Sequence, residues 1–455
     1  MRLSVKVGFA AAKLVGAAPG WRSTAAVAAA IVAGSLLMPG GSAVAVGVST
    51  WLTANTDSTG DQDGAAIATN RIGDVAVAWE DDRDATNPED NTHSEIYLRL
   101  FRNGVSAYEV KLSGGGTAGT SWKHISPDVG LDDKGKAVVV WSDDPDGNGF
   151  FNVPYRVVSP AGTVLASGQA NADSAGQQIN PKVAVDPDGA PGSPSAVAFA
   201  VVWEDIQGSA AATVKAAGYT AATSKAYEVT VNAAGGSHHR PDVAVSASGD
   251  ALVVWDEDTD ANGFYNIGLV RLAKSTGAVV LSRRSANTVS SGQQEHPSIA
   301  ANYNGDFVVA WESDHTGTVG VWARSFAADG TGRSAEVTVS SGTGANSPTV
   351  GIDDQGDAVV GWSVSGTDPA VWARGLNPDG TVTGRLPSQS LSKVTTGRQE
   401  QMVVTSSAWG QLAVAYTDDN DGNGFDQVML GLGATNSEFM ALAPLARSGA
   451  LLTAP

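Results

Sequence analysis

Three peptides of one pattern carry the densest chemistry in the chain: WSDDPDGNGFFNV (141–153), WDEDTDANGFYNI (255–267) and YTDDNDGNGFDQV (416–428). Each sets two Asp and an Asn at alternating positions ahead of a Gly. The residues are Asp144, Asp146 and Asn148; Asp258, Asp260 and Asn262; Asp419, Asp421 and Asn423. A hard cation such as Ca²⁺ wants about six to eight oxygens at roughly 2.3–2.6 Å, and alternating acids before a Gly turn can supply several from one short loop. The bidentate Glu of an EF-hand is missing, because Tyr155, Leu269 and Leu430 stand at the twelfth positions. The remaining ligands would be backbone carbonyls, Asp143, Glu257 or Asp418, or water. Asp, Asn and Gly are also ordinary turn residues. A plain turn, however, explains poorly why acids that repel one another are packed so closely. The nine residues are therefore expected to hold structural Ca²⁺ with modest affinity.

A second set is basic. The chain has six histidines and no cysteine, so thiolate chemistry and disulfides are excluded. His124, His238, His239, Arg240 and His296 are the candidates for proton transfer and anion binding if the chain is an enzyme. They lie too far apart in sequence for their spacing to show whether they converge. The peptide SDHTGTVGVW (313–322) does not match the spacing of a sialidase Asp-box, S-x-D-x-G-x-x-W.

Both sets sit on a repeat. A Pro-x-Val-Ala-like run, a Gly turn and an apolar run ending in an aromatic recur, as in SPDVGLDDKGKAVVVWSD (126–143) and RPDVAVSASGDALVVWDE (240–257). The closing aromatics are Trp79, Trp141, Trp203, Trp255, Trp311, Trp362 and Tyr416, 51 to 62 residues apart. Within the fourth copy, turn residues separate four short strands at roughly 242–246, 250–256, 265–272 and 279–288. Seven copies of four antiparallel strands predict an all-β chain, a seven-bladed β-propeller. The seventh copy ends after its third strand. The segment VSTWLTANTD (48–57) reads like a fourth strand, so the N-terminal strand is expected to close the last blade and remove a free edge. The repeated aromatics are expected to pack between blades.

This architecture separates two faces. The turns joining strands 1–2 and 3–4 are minimal, as in SASGD and KSTGA. The 2–3 loops and the blade-to-blade linkers are longer and hold all three acidic peptides and every histidine, so function is placed on that face. Phe150, Phe264 and Phe425 follow the acidic loops as expected strand anchors, with sugar stacking as the alternative. The Gly-Gln-Gln runs at 176–178 and 292–294 are expected to satisfy backbone groups between blades.

Residues 1–45 carry Arg2, Lys6, Lys13 and Arg22, then an apolar run from Ala25 to Leu37 and the small-residue sequence Ala43-Val44-Ala45, the pattern of a cleaved export signal. The apolar run is short of the ~20 residues a membrane span needs. The expected organisation is thus a signal peptide at 1–45, one propeller at 46–432 and a poorly ordered tail at 433–455. The full chain has a net charge of −19, and loss of the four basic leader residues leaves −23. Such a charge argues against nucleic acid and anionic membrane surfaces as partners.

The repeat resembles secreted bacterial propeller proteins of the form V-x-W-E-D…G…Q…P-x-V-A. The acidic loops resemble the calcium loops of FG-GAP-type propellers, as in integrin heads. The likeness covers about 47–432 and implies the fold; propellers host unrelated activities. From the rich face, the acidic loops and the lack of a recognisable catalytic set, the expectation is a secreted, extracellular, monomeric binding propeller for carbohydrate or another polymer, with Ca²⁺ as stabiliser. The alternatives are a polysaccharide-active lyase or glycoside hydrolase on the histidine-rich face, and a protein-interaction or surface-structural module.

Overall fold

The computed structural model describes residues 47–435, apart from 84–92, 115, 117–121, 189–196, 209, 247, 341–343, 366–369, 384–385, 394–398 and 420–423. The expected leader and most of the expected tail lie outside the described residues. Seven four-stranded antiparallel sheets are present. In blade one the strands are Gln62–Thr69, Val75–Asp81, Glu95–Arg102 and Val105–Lys111. The last blade is completed by the N-terminal strand Gly47–Thr53, which pairs antiparallel with Gln427–Ala434. That strand reaches two residues into the expected tail.

The second strand of each blade explains why the repeat is so apolar. Ala251–Asp258 is buried at every position, because neighbouring blades cover both of its faces. Such a strand reads as a continuous apolar run and loses the alternation of a half-exposed one. The outer strand Val279–Ser285 is largely exposed. Seven apolar clusters result, one between each adjacent pair of blades, and each contains one of the seven repeated aromatics. In Trp79 and Trp141 the indole N–H donates to the acid two residues on, Asp81 at 2.9 Å and Asp143 at 2.8 Å. Near the axis the blades close up until a side chain is excluded. A Cβ at Gly351 would lie 2.4 Å from the backbone N of Ser406 in the next blade.

The innermost strands begin earlier than the sequence suggested. In blade four the strand is Ser237–Val245, running through Pro241, where the expected start was 242. The reason is a bulge. The ladder register shifts between His239 and Asp242, and equivalent shifts occur in all seven blades. The strand is an edge facing the axial channel, so the missing N–H of proline costs no ladder bond.

Candidate active site at the axial mouth

The bulge puts one residue per blade into the left-handed region: Gly64 (φ +56°), Ser126 (+55°), Asn180 (+52°), Arg240 (+48°), His296 (+52°), Ser347 (+50°) and Gln401 (+53°). Five of them precede a proline, a position that disfavours helical backbone. At the six non-glycine positions such strain costs on the order of 1–3 kcal/mol per residue and persists only where the surroundings over-determine it. The over-determination is visible. The residue after the repeated aromatic reaches across to the next blade and accepts the N–H of the strained residue or its neighbour. Glu80 Oε1 takes Ser126 N at 2.7 Å, Glu204 Oε1 takes Arg240 N at 2.8 Å and Glu312 Oε1 takes Ser347 N at 2.7 Å. Ser142 takes Asn180 N at 3.2 Å and Ser363 takes Met402 N at 3.4 Å.

All seven strained residues line one cavity of about 520 Å³ on the face of the long loops, together with Glu80, Lys182 and Asp242. A second cavity of about 290 Å³ continues toward the minimal-turn face and shares Lys182 and Asp242 with it. At the far end Arg71 closes over the Tyr303 ring, 4.3 Å from its centroid, and pairs with Asp354 at 3.0 Å. At the waist the Asp128 and Asp242 carboxylates accept the N–H groups of Val183 and Ile299 from the next inner strands, at 2.7 and 2.8 Å. Lys182 Nζ lies 3.7 Å from Asp128 Oδ1. The Lys182 side chain is 40% accessible to water in the channel. The Asp128 charge raises the Lys182 pKa. Burial pushes Asp128 up to about 6, against the pull of Lys182.

The carboxyl groups at the mouth and just behind it have pKa values displaced in different directions. Burial, and then the neighbouring Asp63 charge, push Glu80 up to about 8, against the opposing Ser126 N–H. Burial alone would raise Glu204 too, but hydrogen bonds from His239, Asn180 and Arg240 N outweigh it and hold the carboxyl below its usual range. Burial raises Asp256 well above the carboxylate range despite Arg240 beside it.

Of the five basic candidates, Arg240 and His296 line the mouth. His239 stands behind it, with Nδ1 3.0 Å from Glu204. His124 and His238 lie elsewhere, buried under the loops. His124 bridges Gly114 O at 2.8 Å and Asp143 at 2.5 Å, and His238 contacts Gly235 O at 2.8 Å. The sequence reading missed the acids. Their signal was the Glu of the form V-x-W-E-D, at Glu80 and Glu204, which stood among too many acids for the sequence to choose a pair.

The acidic loops sit outside this cavity and are built alike in blades two and four. Asp144 accepts Asn148 N at 3.0 Å and Gly149 N at 2.9 Å; Asp258 accepts Asn262 N and Gly263 N at the same distances. Asp146 and Asp260 take the Asn side-chain amides at 2.9 and 2.8 Å. Asn148 and Asn262 in turn accept the N–H of Phe150 and Phe264 at 2.7 Å. Asp421 and Asn423 lie outside the described residues, and Asp419 accepts Gly424 N at 3.2 Å. No group of three or more His, Asp or Glu that could hold a metal ion occurs among the described residues. Gln293 of the second Gly-Gln-Gln run clamps the loop of blade four, accepting Tyr265 N at 3.0 Å and donating to Gly263 O at 2.8 Å. The Phe anchors are not realised in two cases: Phe150 and Phe264 are 52% and 48% exposed.

No protein-family model matches the sequence and no curated protein is similar to it, so the likeness of its loops to FG-GAP repeats rests on the loop residues alone. Among solved structures, the chain is similar to a protein of unknown function from Dyadobacter fermentans, at 12% identity, TM-score 0.48, 86% of this chain and 100% of that one. It is also similar to a sialidase of Streptococcus pneumoniae, at 10% identity, TM-score 0.46, over 84% and 70% of the two chains. An α-L-arabinofuranosidase of Fusarium graminearum follows at 11% identity, TM-score 0.48, over 69% and 93%. The expectation of a non-catalytic binding propeller is corrected here. The neighbours just named that have a stated function are enzymes.

Proposed function

We propose that the axial mouth is the active site of a glycoside-cleaving enzyme, with hydrolysis favoured over elimination. The observation that supports it is a carboxyl lining the mouth, Glu80, with a second of the same repeat position, Glu204, buried just behind the ring where it holds Asn180 and Arg240, the two in opposite environments. Glu80 is enclosed beside Asp63, so it keeps its proton at neutral pH. Glu204, ringed by donors, stays ionised. They reach adjacent positions of the ring: Glu80 holds Ser126, and Glu204 holds Asn180 through its Nδ2 at 2.9 Å. Pairs of titratable groups driven apart in this way divide acid and base work. Glu80 gives its proton to the glycosidic oxygen as the C–O bond breaks. Glu204 is the member able to face developing positive charge or take a proton from the attacking water. Elimination has weaker support, because the basic groups it would use are tied to carboxylates.

The test is release of reducing ends from a panel of neutral and acidic polysaccharides, with Glu80→Gln and Glu204→Gln beside the parent. Loss of about 10²-fold or more in each variant is expected. Unchanged release in both, or products with ultraviolet-absorbing unsaturated ends, would sink the hydrolase reading.

Ca²⁺ binding by the acidic loops would use lone pairs left over from their internal hydrogen bonds. Export through cleavage near Ala45 is tested by N-terminal sequencing of secreted protein. A monomer is tested by light scattering in solution.

A further inference from the structure

We infer that the axial mouth takes uncharged sugars and rejects carboxylated ones, an inference that rests on reading this mouth as the sugar site. The cations that reach the mouth are already engaged. Arg240 donates through Nε to Asp256, and its Nη2 lies 3.0 Å from Glu295. Lys182 pairs with Asp128 at 3.7 Å, and the Asp242 charge also acts on it. His296 Nδ1 faces Glu312 at 3.2 Å. The remaining basic groups, His239 and Lys123, stand beside Glu204 and Glu80. Each cation that lines the mouth is therefore already faced by at least one carboxyl group, and Arg240 by two.

A substrate carboxylate would meet the carboxyl groups already paired with Arg240 and Lys182 and find no guanidinium free for a bidentate pair. Like-charge contact and an unpaired buried charge both act against such a ligand, which is how a site rejects a competitor. A hydroxyl meets the opposite situation. Carboxylates are acceptors with lone pairs to spare, and sugar hydroxyls donate. The amides of Asn180 and Gln401 at the rim suit hydroxyl recognition as well.

The test is calorimetric titration of the parent with a neutral monosaccharide, the uronic acid of the same configuration, and a mimic carrying a protonated ring nitrogen. Cleavage of neutral and uronate polymers runs in parallel. The expected order is cationic mimic tightest, neutral sugar next, uronic acid at least tenfold weaker. Glu295→Gln leaves Arg240 with one carboxylate partner, so the handicap of the uronic acid should shrink several-fold. A uronic acid that binds the parent as tightly as the neutral sugar overturns the inference. Uronate polymers cleaved faster than neutral ones overturn it while leaving the hydrolase reading intact. The expected binding order with no cleavage of any polymer sinks the hydrolase reading alone, and no binding by any of the three sugars sinks both.

Discussion

Glu80 Oε1 accepts the backbone N–H of Ser126 at 2.7 Å across the boundary between blades one and two, and Ser126 holds a left-handed backbone directly before Pro127. This contact joins the repeat to the chemistry. The aromatic of blade one is buried between blades, so the next residue is aimed at the axis. There it serves both as a strut for a strained backbone and as a protonated carboxyl.

Gly64 makes room for that carboxyl. A Cβ at this position would lie 2.5 Å from Glu80 Oε1, and φ is +56°. Gly64→Ala adds about 1 kcal/mol of backbone strain. It must also displace Glu80 from Ser126. Activity is expected to fall at least tenfold while thermal unfolding shows a loss of only about 1–2 kcal/mol. Full activity in this variant would remove Glu80 from the reaction centre.

The raised pKa of Glu80 has a defined sign in stability. The folded state binds the proton more tightly than the unfolded chain, whose carboxyl titrates near 4.5. Stability from this group is therefore full below about 4.5 and is lost as pH rises through about 8. Activity that needs the protonated form should fall over the same upper limb. Glu80→Gln should leave stability at pH 5 unchanged and raise it relative to the parent at pH 9, read by denaturant unfolding at both values. An identical pH dependence in parent and variant would exclude a perturbed Glu80.

The fold was legible because its signals are local and repeated. The aromatic at the end of Ala251–Asp258 recurs, and Gly turns separate the strands. The start of each inner strand was not, because Pro241 reads as a breaker until one knows that its strand is an edge with a bulge. The site was legible only in its basic half. Arg240 and His296 do reach the mouth, whereas His124 and His238 share their face and are buried in loop supports. Glu80 and Glu204 could not be paired from sequence, since only the ring brings the residues they hold, Ser126 and Asn180, into one cavity.

Core and surface aromatics should separate sharply in stability. Trp311 is fully buried between blades four and five, with Nε1 3.1 Å from Gln294 Oε1. Trp311→Ala should cost about 3–5 kcal/mol. Phe150, half exposed, has no such core, and Phe150→Ala should stay within about 0.5 kcal/mol. Urea unfolding of both variants reads the contrast. A large loss in Phe150→Ala would restore it as a strand anchor.

Ring closure rests on Gly47–Thr53. This strand covers Gln427–Ala434, and Trp51 packs edge-on against Tyr416 with centroids 5.6 Å apart. Deleting residues 1–53 leaves Gln427–Ala434, buried at every position, as a bare edge strand. Such an edge recruits other chains. The truncated protein should aggregate or elute as oligomers, and a monomeric truncation with an unchanged melting curve would show that closure contributes nothing.

The acidic loops give the last test. Their carboxylates already accept loop N–H groups, Asp144 from Asn148 and Gly149, and Asp258 from Asn262 and Gly263. A cation must share oxygens that are partly engaged, and the EF-hand Glu is absent, so affinity belongs near the millimolar range of extracellular modules. At 10 mM Ca²⁺ and a Kd of about 1 mM, each site would stabilise the fold by about 1.4 kcal/mol. The melting temperature should therefore rise with CaCl₂, fall back with EDTA and respond less to MgCl₂. Asp146→Asn with Asp260→Asn keeps one acceptor oxygen in each side chain while lowering loop charge, and should remove most of the rise. A melting temperature indifferent to Ca²⁺ at 10 mM would make these peptides turns whose acids serve only their own backbone.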